Sequence, residues 1–142
     1  AFLLLSFPEA DSDSDTAISI LISVSDTFDA LGRYDDAQKL LERIRTIAEK
    51  RYGVNDHRVA TAVLDIAELC EKKGDMPGAE KLYLEALTIK MNNTELIEYD
   101  SAILAQRIAE FYQRMKNEER CRYYKALSQK IQGEIDEKSS HE

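Results

Sequence analysis

An acidic run near the start of the chain, DSDSD, contains the residue types closest to a chemical site. Its carboxylates, Asp11, Asp13 and Asp15, have the spacing of the first three ligands in a calcium-binding EF-hand loop. That loop needs Gly at its sixth position and Glu at its twelfth, and this sequence has Thr16 and Ile22 there. We therefore expect no calcium site. We interpret the run as a solvated linker whose end caps the following helix.

Other residues capable of catalysis or metal binding are scattered along the chain. His57 and His141 stand far apart, and we interpret both as surface residues. Cys70 and Cys121 lie among apolar or small residues at helical spacing, which is typical of buried core cysteines. The sequence also lacks a phosphate-binding loop and a G-x-S-x-G motif. We predict no catalytic residues, no metal and no cofactor, and hence a protein that is not an enzyme.

The charge distribution excludes two further classes. The net charge is −8, and residues 1–32 contain six acidic residues and no Lys or Arg. Nucleic-acid-binding proteins have the opposite bias, concentrated in a basic face. The sequence has no apolar run of 18 residues, so we predict no membrane span. Two unpaired cysteines are typical of a reducing compartment, and we expect an intracellular, cytoplasmic location.

Two glycine hexapeptides show how the chain is organised. GRYDDA begins at Gly32 and GDMPGA at Gly74, 42 positions later, and KNEERC follows after another 42 positions. Apolar residues at steps of three or four flank each hexapeptide, which predicts amphipathic helices on both sides. Equal offsets are typical of stacked hairpins that bury their apolar faces on one another. We predict an all-α fold, a right-handed α-solenoid of three stacked antiparallel helix pairs.

These offsets also set the predicted domain boundaries. Phe2 and Leu5, shifted by 42 positions, fall on Ile44 and Ile47, so one hypothesis is that the N-terminal apolar stretch is the end of a preceding repeat. With the missing initiator Met, this favours a fragment of a longer repeat array. We predict an N-terminal stretch and linker at 1–15, a repeat domain at 16–135 divided into 16–55, 56–97 and 98–135, and a polar tail at 136–142.

The hexapeptides and their flanking helices resemble tetratricopeptide repeats, in particular the 42-residue type of kinesin light chains. The resemblance covers roughly residues 16–135 and is weaker in the third repeat, where Lys116 replaces the turn glycine and Lys125 replaces a large apolar residue. The small residues that this family places at helix contacts correspond to Ser25, Ala67 and Ala109 in the first helices and Ala37, Ala79 and Cys121 in the second.

The resemblance implies a non-enzymatic interaction module, an adaptor or scaffold that binds a peptide or partner domain. Stacked tetratricopeptide hairpins line their first helices along a concave groove, which is the surface that solenoids use for partners. The predicted partner-binding positions are those of the first helices that face this groove: Ile22, Asp26, Asp29, Leu64, Asp65, Glu68, Lys72, Gln106, Arg107, Glu110 and Arg114.

The same resemblance predicts the charge of the partner. Chaperone-binding members of the family hold a peptide carboxylate with Lys, Asn and Arg side chains, and the corresponding positions here are Ile22, Asp26, Asp65 and Arg107. One basic residue is too few for that clamp, so we expect a neutral-to-basic peptide or protein. An alternative is a regulatory or oligomerising segment of a larger protein whose activity lies elsewhere, and self-association fits that alternative.

Overall fold

The computed structural model describes residues 15–93 and 98–141, except for the side chains of residues 98 and 99. The predicted apolar stretch at 1–5 and the carboxylates of Asp11 and Asp13 lie outside the described residues. So do Thr94 and Glu95 of the segment NNTE at 92–95, whose composition predicts a loop. The described part of the chain forms six helices: α1 (Asp15–Ala30), α2 (Tyr34–Tyr52), α3 (His57–Lys73), α4 (Met76–Asn92), α5 (Glu98–Arg114) and α6 (Glu118–Ser140). None of them is long and apolar enough to cross a membrane.

Capping side chains fix where α3 and α4 begin. The Asp56 carboxylate accepts a hydrogen bond from the Arg58 backbone N–H at 2.9 Å and starts α3. At the start of α4, Asp75 Oδ1 accepts from the Gly78 N–H at 3.1 Å. Gly78 leaves room for that carboxylate, since a Cβ there would lie 2.3 Å from Asp75 Oδ2. These caps satisfy backbone donors that the first turn leaves unpaired.

The turns inside the helix pairs have one backbone geometry. Gly32 and Gly74 have φ of +73° and +85°, and the third turn places Lys116 at φ +58°. The left-handed region is open to glycine but costs a residue with a Cβ about 1–2 kcal/mol. The hairpin therefore imposes this conformation even where the sequence has lost its glycine.

We expect Lys116→Gly to stabilise the protein by about 0.5–1 kcal/mol, because it removes left-handed strain at the cost of some unfolded-state entropy. Gly74→Ala at the equivalent position should destabilise it by about 1 kcal/mol. Thermal unfolding followed by circular dichroism measures both changes. A lower melting temperature for Lys116→Gly would contradict this account.

Small residues allow the two helices of each pair to pack closely. Ala37 and Ala79 are completely buried, and Cys121 at the third equivalent position is 7% exposed. The predicted small residues of the first helices, Ser25, Ala67 and Ala109, are buried as well. Burial raises the pKa of the Cys70 thiol and so disfavours its reactive thiolate form. The prediction that both cysteines are core residues is confirmed.

One local prediction needs correction. Steps of three and four residues extend the predicted apolar stripe of the first helix to Leu31, but α1 ends at Ala30 and Leu31 is 67% exposed in the turn. The polar tail predicted at 136–142 stays a prediction, and α6 continues into it through Ser140. Hydrogen bonds four residues apart, such as Gln132 to Asp136 at 3.0 Å, support these exposed turns.

The chain divides into two compact units, one ending at Ala86 and one beginning at Leu87. In the first unit, α1 packs on α2 and α2 packs on α3. The Arg45 guanidinium also links α2 to α4, since it contacts the carboxylates of Glu49 and Glu85, and its pKa is raised by these two bonds. In the second unit, α5 packs on α6, and Ser128 Oγ donates to the Ala102 carbonyl at 2.8 Å. The predicted repeat boundaries stay predictions.

Candidate partner-binding surface

An apolar cavity of about 360 Å³ lies between α1 and α3 in the first unit. Its floor comes from α2, where Leu41, Ile44 and Ala48 present side chains at helical spacing. The walls are Ile18, Ser19 and Ile22 of α1, with Asp15 at one end, and His57, Arg58, Thr61, Ala62 and Asp65 of α3. Ile22 is 40% exposed, so a large apolar side chain is accessible at the rim of the cavity. This surface can hold an apolar side chain of a partner.

A smaller cavity of about 70 Å³ shares Leu41 and Asp65 with the first. Asp26, Asp29, Asp65 and Glu68 line it, together with Ser25 and Leu69. Two of the predicted partner-binding residues, Ile22 and Asp65, therefore line the larger cavity. Four of them line the smaller cavity: Asp26, Asp29, Asp65 and Glu68. Several carboxylates beside an apolar cavity favour a partner with a positive charge next to an apolar residue.

One of these carboxylates is neutralised by a predicted groove residue. Lys72 Nζ lies 2.7 Å from both carboxylate oxygens of Asp29, which links α3 to α1. Both side chains are partly exposed, so the pair contributes little to stability. Its main effect is local, because it neutralises one of the four carboxylates that line the smaller cavity. Leu64 is half-buried and lines neither of these two cavities.

A polar cluster lies at the end of the larger cavity where Asp15 and Arg58 meet. The Tyr52 hydroxyl donates to the Asp15 carboxylate, and the Arg58 guanidinium stacks 3.8 Å from the centroid of the Tyr52 ring. The hydrogen bond from Tyr52 holds the pKa of Asp15 below its usual value and raises the pKa of Tyr52. Asp15 therefore ties the start of α1 to the end of α2.

We expect Asp15 to make the stability of the first unit depend on acidic pH. A lowered folded-state pKa means that the stabilisation is fully present above the unfolded carboxyl pKa of about 3.9 and is lost as the pH falls through the folded-state value. Melting temperatures of the wild type and Asp15→Asn, measured from neutral to acidic pH, should converge at low pH. Tyr52→Phe removes the donor and should reproduce the effect. Parallel pH profiles would contradict it.

The remaining predicted positions lie on α5 in the second unit. Gln106, Arg107, Glu110 and Arg114 are all exposed. Gln106 Nε2 donates to Glu110 Oε1 at 3.4 Å, one turn along the helix. This exposed face of α5 stays a predicted binding surface.

Part of the site cannot be identified from the sequence. The floor residues Leu41, Ile44 and Ala48 fit the predicted stripe of buried residues, and nothing in their pattern marks them as accessible from a cavity. His57 is exposed, as predicted, but it also lines the cavity, as does Arg58. Because His57 and Arg58 directly follow the capping residue Asp56, the sequence predicts that they lie at the start of α3. Only the packing of α3 on α2 brings them to the rim of the larger cavity.

Comparisons with known proteins give a consistent result. A family model described as tetratricopeptide repeat matches residues 15–92, more than half of the chain. Among solved structures, BtubC (BKLC) from P. vanneervenii, a kinesin-light-chain-like protein, is similar with a TM-score of 0.81 at 17% sequence identity. The likeness covers 94% of this chain and 54% of that chain, so this chain spans about half the length of its neighbour. No curated protein matches the sequence. The predicted all-α repeat fold is confirmed.

Proposed function

Because this chain belongs to the tetratricopeptide repeat family, we propose that it is an adaptor or scaffold that binds a neutral-to-basic segment between α1 and α3. Tetratricopeptide repeats indicate a protein–protein interaction or scaffold module. The fold is typically non-enzymatic, and our proposal includes no catalytic activity. The observation that carries the proposal is the pair of adjoining cavities, one apolar and one lined by carboxylates.

The apolar cavity supports an anchored mode of binding. Its volume of about 360 Å³ is at the lower end of the usual range for ligand pockets and suits one or two side chains. Burying an apolar side chain there gains about 25 cal/mol per Å² of apolar surface removed from water. Ile22, 40% exposed at the rim, would provide more of this contact than Ile18 and Ile44, which are 9% and 3% exposed. An extended segment lying between the two helices would place further side chains over the acidic cavity.

The acidic cavity supports the predicted charge of the partner. Asp26, Asp65 and Glu68 lie around one small volume, so a Lys or Arg side chain placed there would reduce their mutual repulsion. An acidic peptide terminus would face the same carboxylates and would be disfavoured. The four positions that correspond to the carboxylate clamp, with Arg107 as their one basic residue, support the same conclusion.

Charge reversal in the acidic cavity tests this proposal. We expect peptides selected from a random display library by the wild type to be enriched in Lys and Arg beside an apolar residue. Asp26→Lys/Glu68→Lys should lose affinity for those peptides by about tenfold or more in fluorescence anisotropy. The matched control is Glu134→Lys/Glu137→Lys, because it changes the net charge equally at exposed positions of α6.

Two outcomes would reject the proposal. One is equal affinity of the wild type and the cavity variant for the selected peptides. The other is selection of peptides with acidic C-termini by the wild type. Circular dichroism of each variant establishes that its helices are intact, so that lost binding is not confused with unfolding.

The buried thiols support a cytoplasmic location for this activity. Cys70 and Cys121 are unpaired and buried, and such thiols persist in a reducing compartment. Imaging of a tagged chain in cells of its source tests this part of the proposal, and secretion of the protein would contradict it.

A further inference from the structure

The ion pair between Asp29 and Lys72 closes one end of the space between α1 and α3. We propose that this pair sets the spacing of side chains in the partner segment, an inference that rests on the proposed function of the two cavities. The Lys or Arg that reaches the acidic cavity stands three or four positions from the residue held in the apolar cavity. Asp29 and Lys72 are thus specificity-determining residues.

The two cavities follow one another along the same two helices. On α1, Ser19 lines the apolar cavity and Asp26 lines the acidic cavity. On α3, Thr61 and Glu68 line the same two cavities in the same order. Each of these steps is seven residues long. At a rise of 1.5 Å per residue, the acidic cavity therefore lies about 10 Å from the apolar cavity along the helix axes.

The acidic cavity is small and closed at its far end. Asp29 and Lys72 lie about one turn beyond Asp26 and Glu68, and Lys72 Nζ is 2.7 Å from both carboxylate oxygens of Asp29. The cavity beside this pair has a volume of about 70 Å³, against about 360 Å³ for the apolar cavity. That volume accepts the charged end of one Lys or Arg side chain but no helical segment, whose diameter is about 10–12 Å.

An extended segment covers the distance between the cavities in three or four residues. In the polyproline II conformation, residues three apart share a face and are separated by about 9 Å. In a strand, residues four apart share a face and are separated by about 13 Å. The flexible side chain of Lys or Arg compensates for the difference from about 10 Å. A helical segment would need about seven residues, because it rises 1.5 Å per residue.

Removing the Lys72 side chain is expected to lengthen the accepted spacing. The carboxylate of Asp29 is then no longer neutralised, and it lies three residues beyond Asp26, about 4.5 Å farther along α1. This distance corresponds to about one further position of an extended chain. We therefore expect Lys72→Ala to accept a spacing of five positions in addition to three and four.

Asp29→Asn/Lys72→Ala is the matched control for Lys72→Ala. The double variant opens the same end of the acidic cavity without adding an unpaired carboxylate, so it should not accept the longer spacing. Both side chains are partly exposed in the wild type, and their pair contributes little to stability. Melting temperatures measured by circular dichroism establish that both variants are folded.

Peptide display libraries with fixed spacings test the proposal on the full chain. Each library has one fixed Leu and one fixed Lys, in either order, with small polar residues elsewhere. The spacings cover those expected for an extended and for a helical segment, from about two to about eight positions. The wild type should enrich spacings of three and four by about tenfold over the others. Lys72→Ala should also enrich a spacing of five, and Asp29→Asn/Lys72→Ala should not.

The outcomes distinguish failure of the spacing from failure of the proposed function. Equal enrichment at every spacing, or a maximum at seven positions, overturns the spacing alone, because peptides with Leu and Lys are still selected. A Lys72→Ala profile identical to that of the wild type overturns the role of the ion pair. No enrichment at any spacing rejects the proposed function, and the spacing with it.

Discussion

Replacing Tyr112 with alanine is expected to lower the free energy of unfolding by about 3–5 kcal/mol. Tyr112 is 2% exposed and is among the largest fully buried side chains in the described part of the chain. Its ring stacks on Tyr124 at a centroid distance of 5.5 Å and meets Phe111 edge-on at 5.4 Å. Removing the ring leaves a cavity within the second unit and breaks both aromatic contacts.

The hydroxyl group of Tyr112 has a smaller, separable effect. Arg120 Nη1 donates to this oxygen at 3.0 Å, and the Arg120 guanidinium lies 5.5 Å from the ring centroid. Tyr112→Phe keeps the ring and removes the hydroxyl, so it should cost about 1 kcal/mol. Comparing Tyr112→Phe with Tyr112→Ala separates the stability that comes from packing of the ring from the stability that comes from the hydrogen bond of its hydroxyl group.

Urea unfolding followed by circular dichroism measures both changes. Tyr123→Ala is the matched control, because Tyr123 is on the same hairpin but is 63% exposed, and it should cost less than about 1 kcal/mol. A similar cost for Tyr112→Ala and Tyr123→Ala would mean that the second unit lacks the packed core described here.

The second large effect is expected from Ala79→Leu, which should destabilise the protein by about 1–3 kcal/mol or more. Ala79 is completely buried in the first turn of α4, close to the turn that joins α4 to α3. A leucine side chain does not fit unless the helices separate or neighbouring side chains leave their preferred rotamers. The hydrogen bond from Tyr83 OH to Glu71, at 2.9 Å, joins the same two helices and would be disturbed by such a separation.

Ala126→Leu is the control for this substitution. Ala126 is exposed on α6, so the same chemical change there should alter stability by less than about 0.5 kcal/mol. Thermal unfolding of the two variants gives the comparison directly. Equal melting temperatures would show that the helices at Ala79 are not in close contact, and would remove the physical reason for a small residue at this repeat position.

Much of the fold could be predicted because it depends on local spacing. Val63, Ile66 and Cys70 stand at steps of three and four residues, a spacing that predicts one helix face, and all three are buried on α3. The caps at Asp56 and Asp75 were also predictable, since a capping side chain bonds to backbone groups two or three residues away. The prediction failed at Leu31, where the apolar spacing continues although α1 ends one residue earlier.

The candidate site could be predicted only in part. Asp26, Asp65 and Glu68 were identified because the repeat register places them on the first helices, facing away from the core stripe. The cavity floor was not identified, because Leu41 and Ile44 follow the same pattern as fully enclosed core residues. Whether such residues border a cavity depends on how far apart α1 and α3 lie above them.

The sequence by itself determined the 42-residue repeat, the helical hairpins and the small residues at their contacts, because each follows from periodicity or from residue size. Only the tertiary structure decided which distant charges meet. Asp29 pairs with Lys72, and Asp15 accepts a hydrogen bond from Tyr52, across 43 and 37 positions of sequence respectively. These contacts depend on the rotation and separation of packed helices, and a local pattern specifies neither.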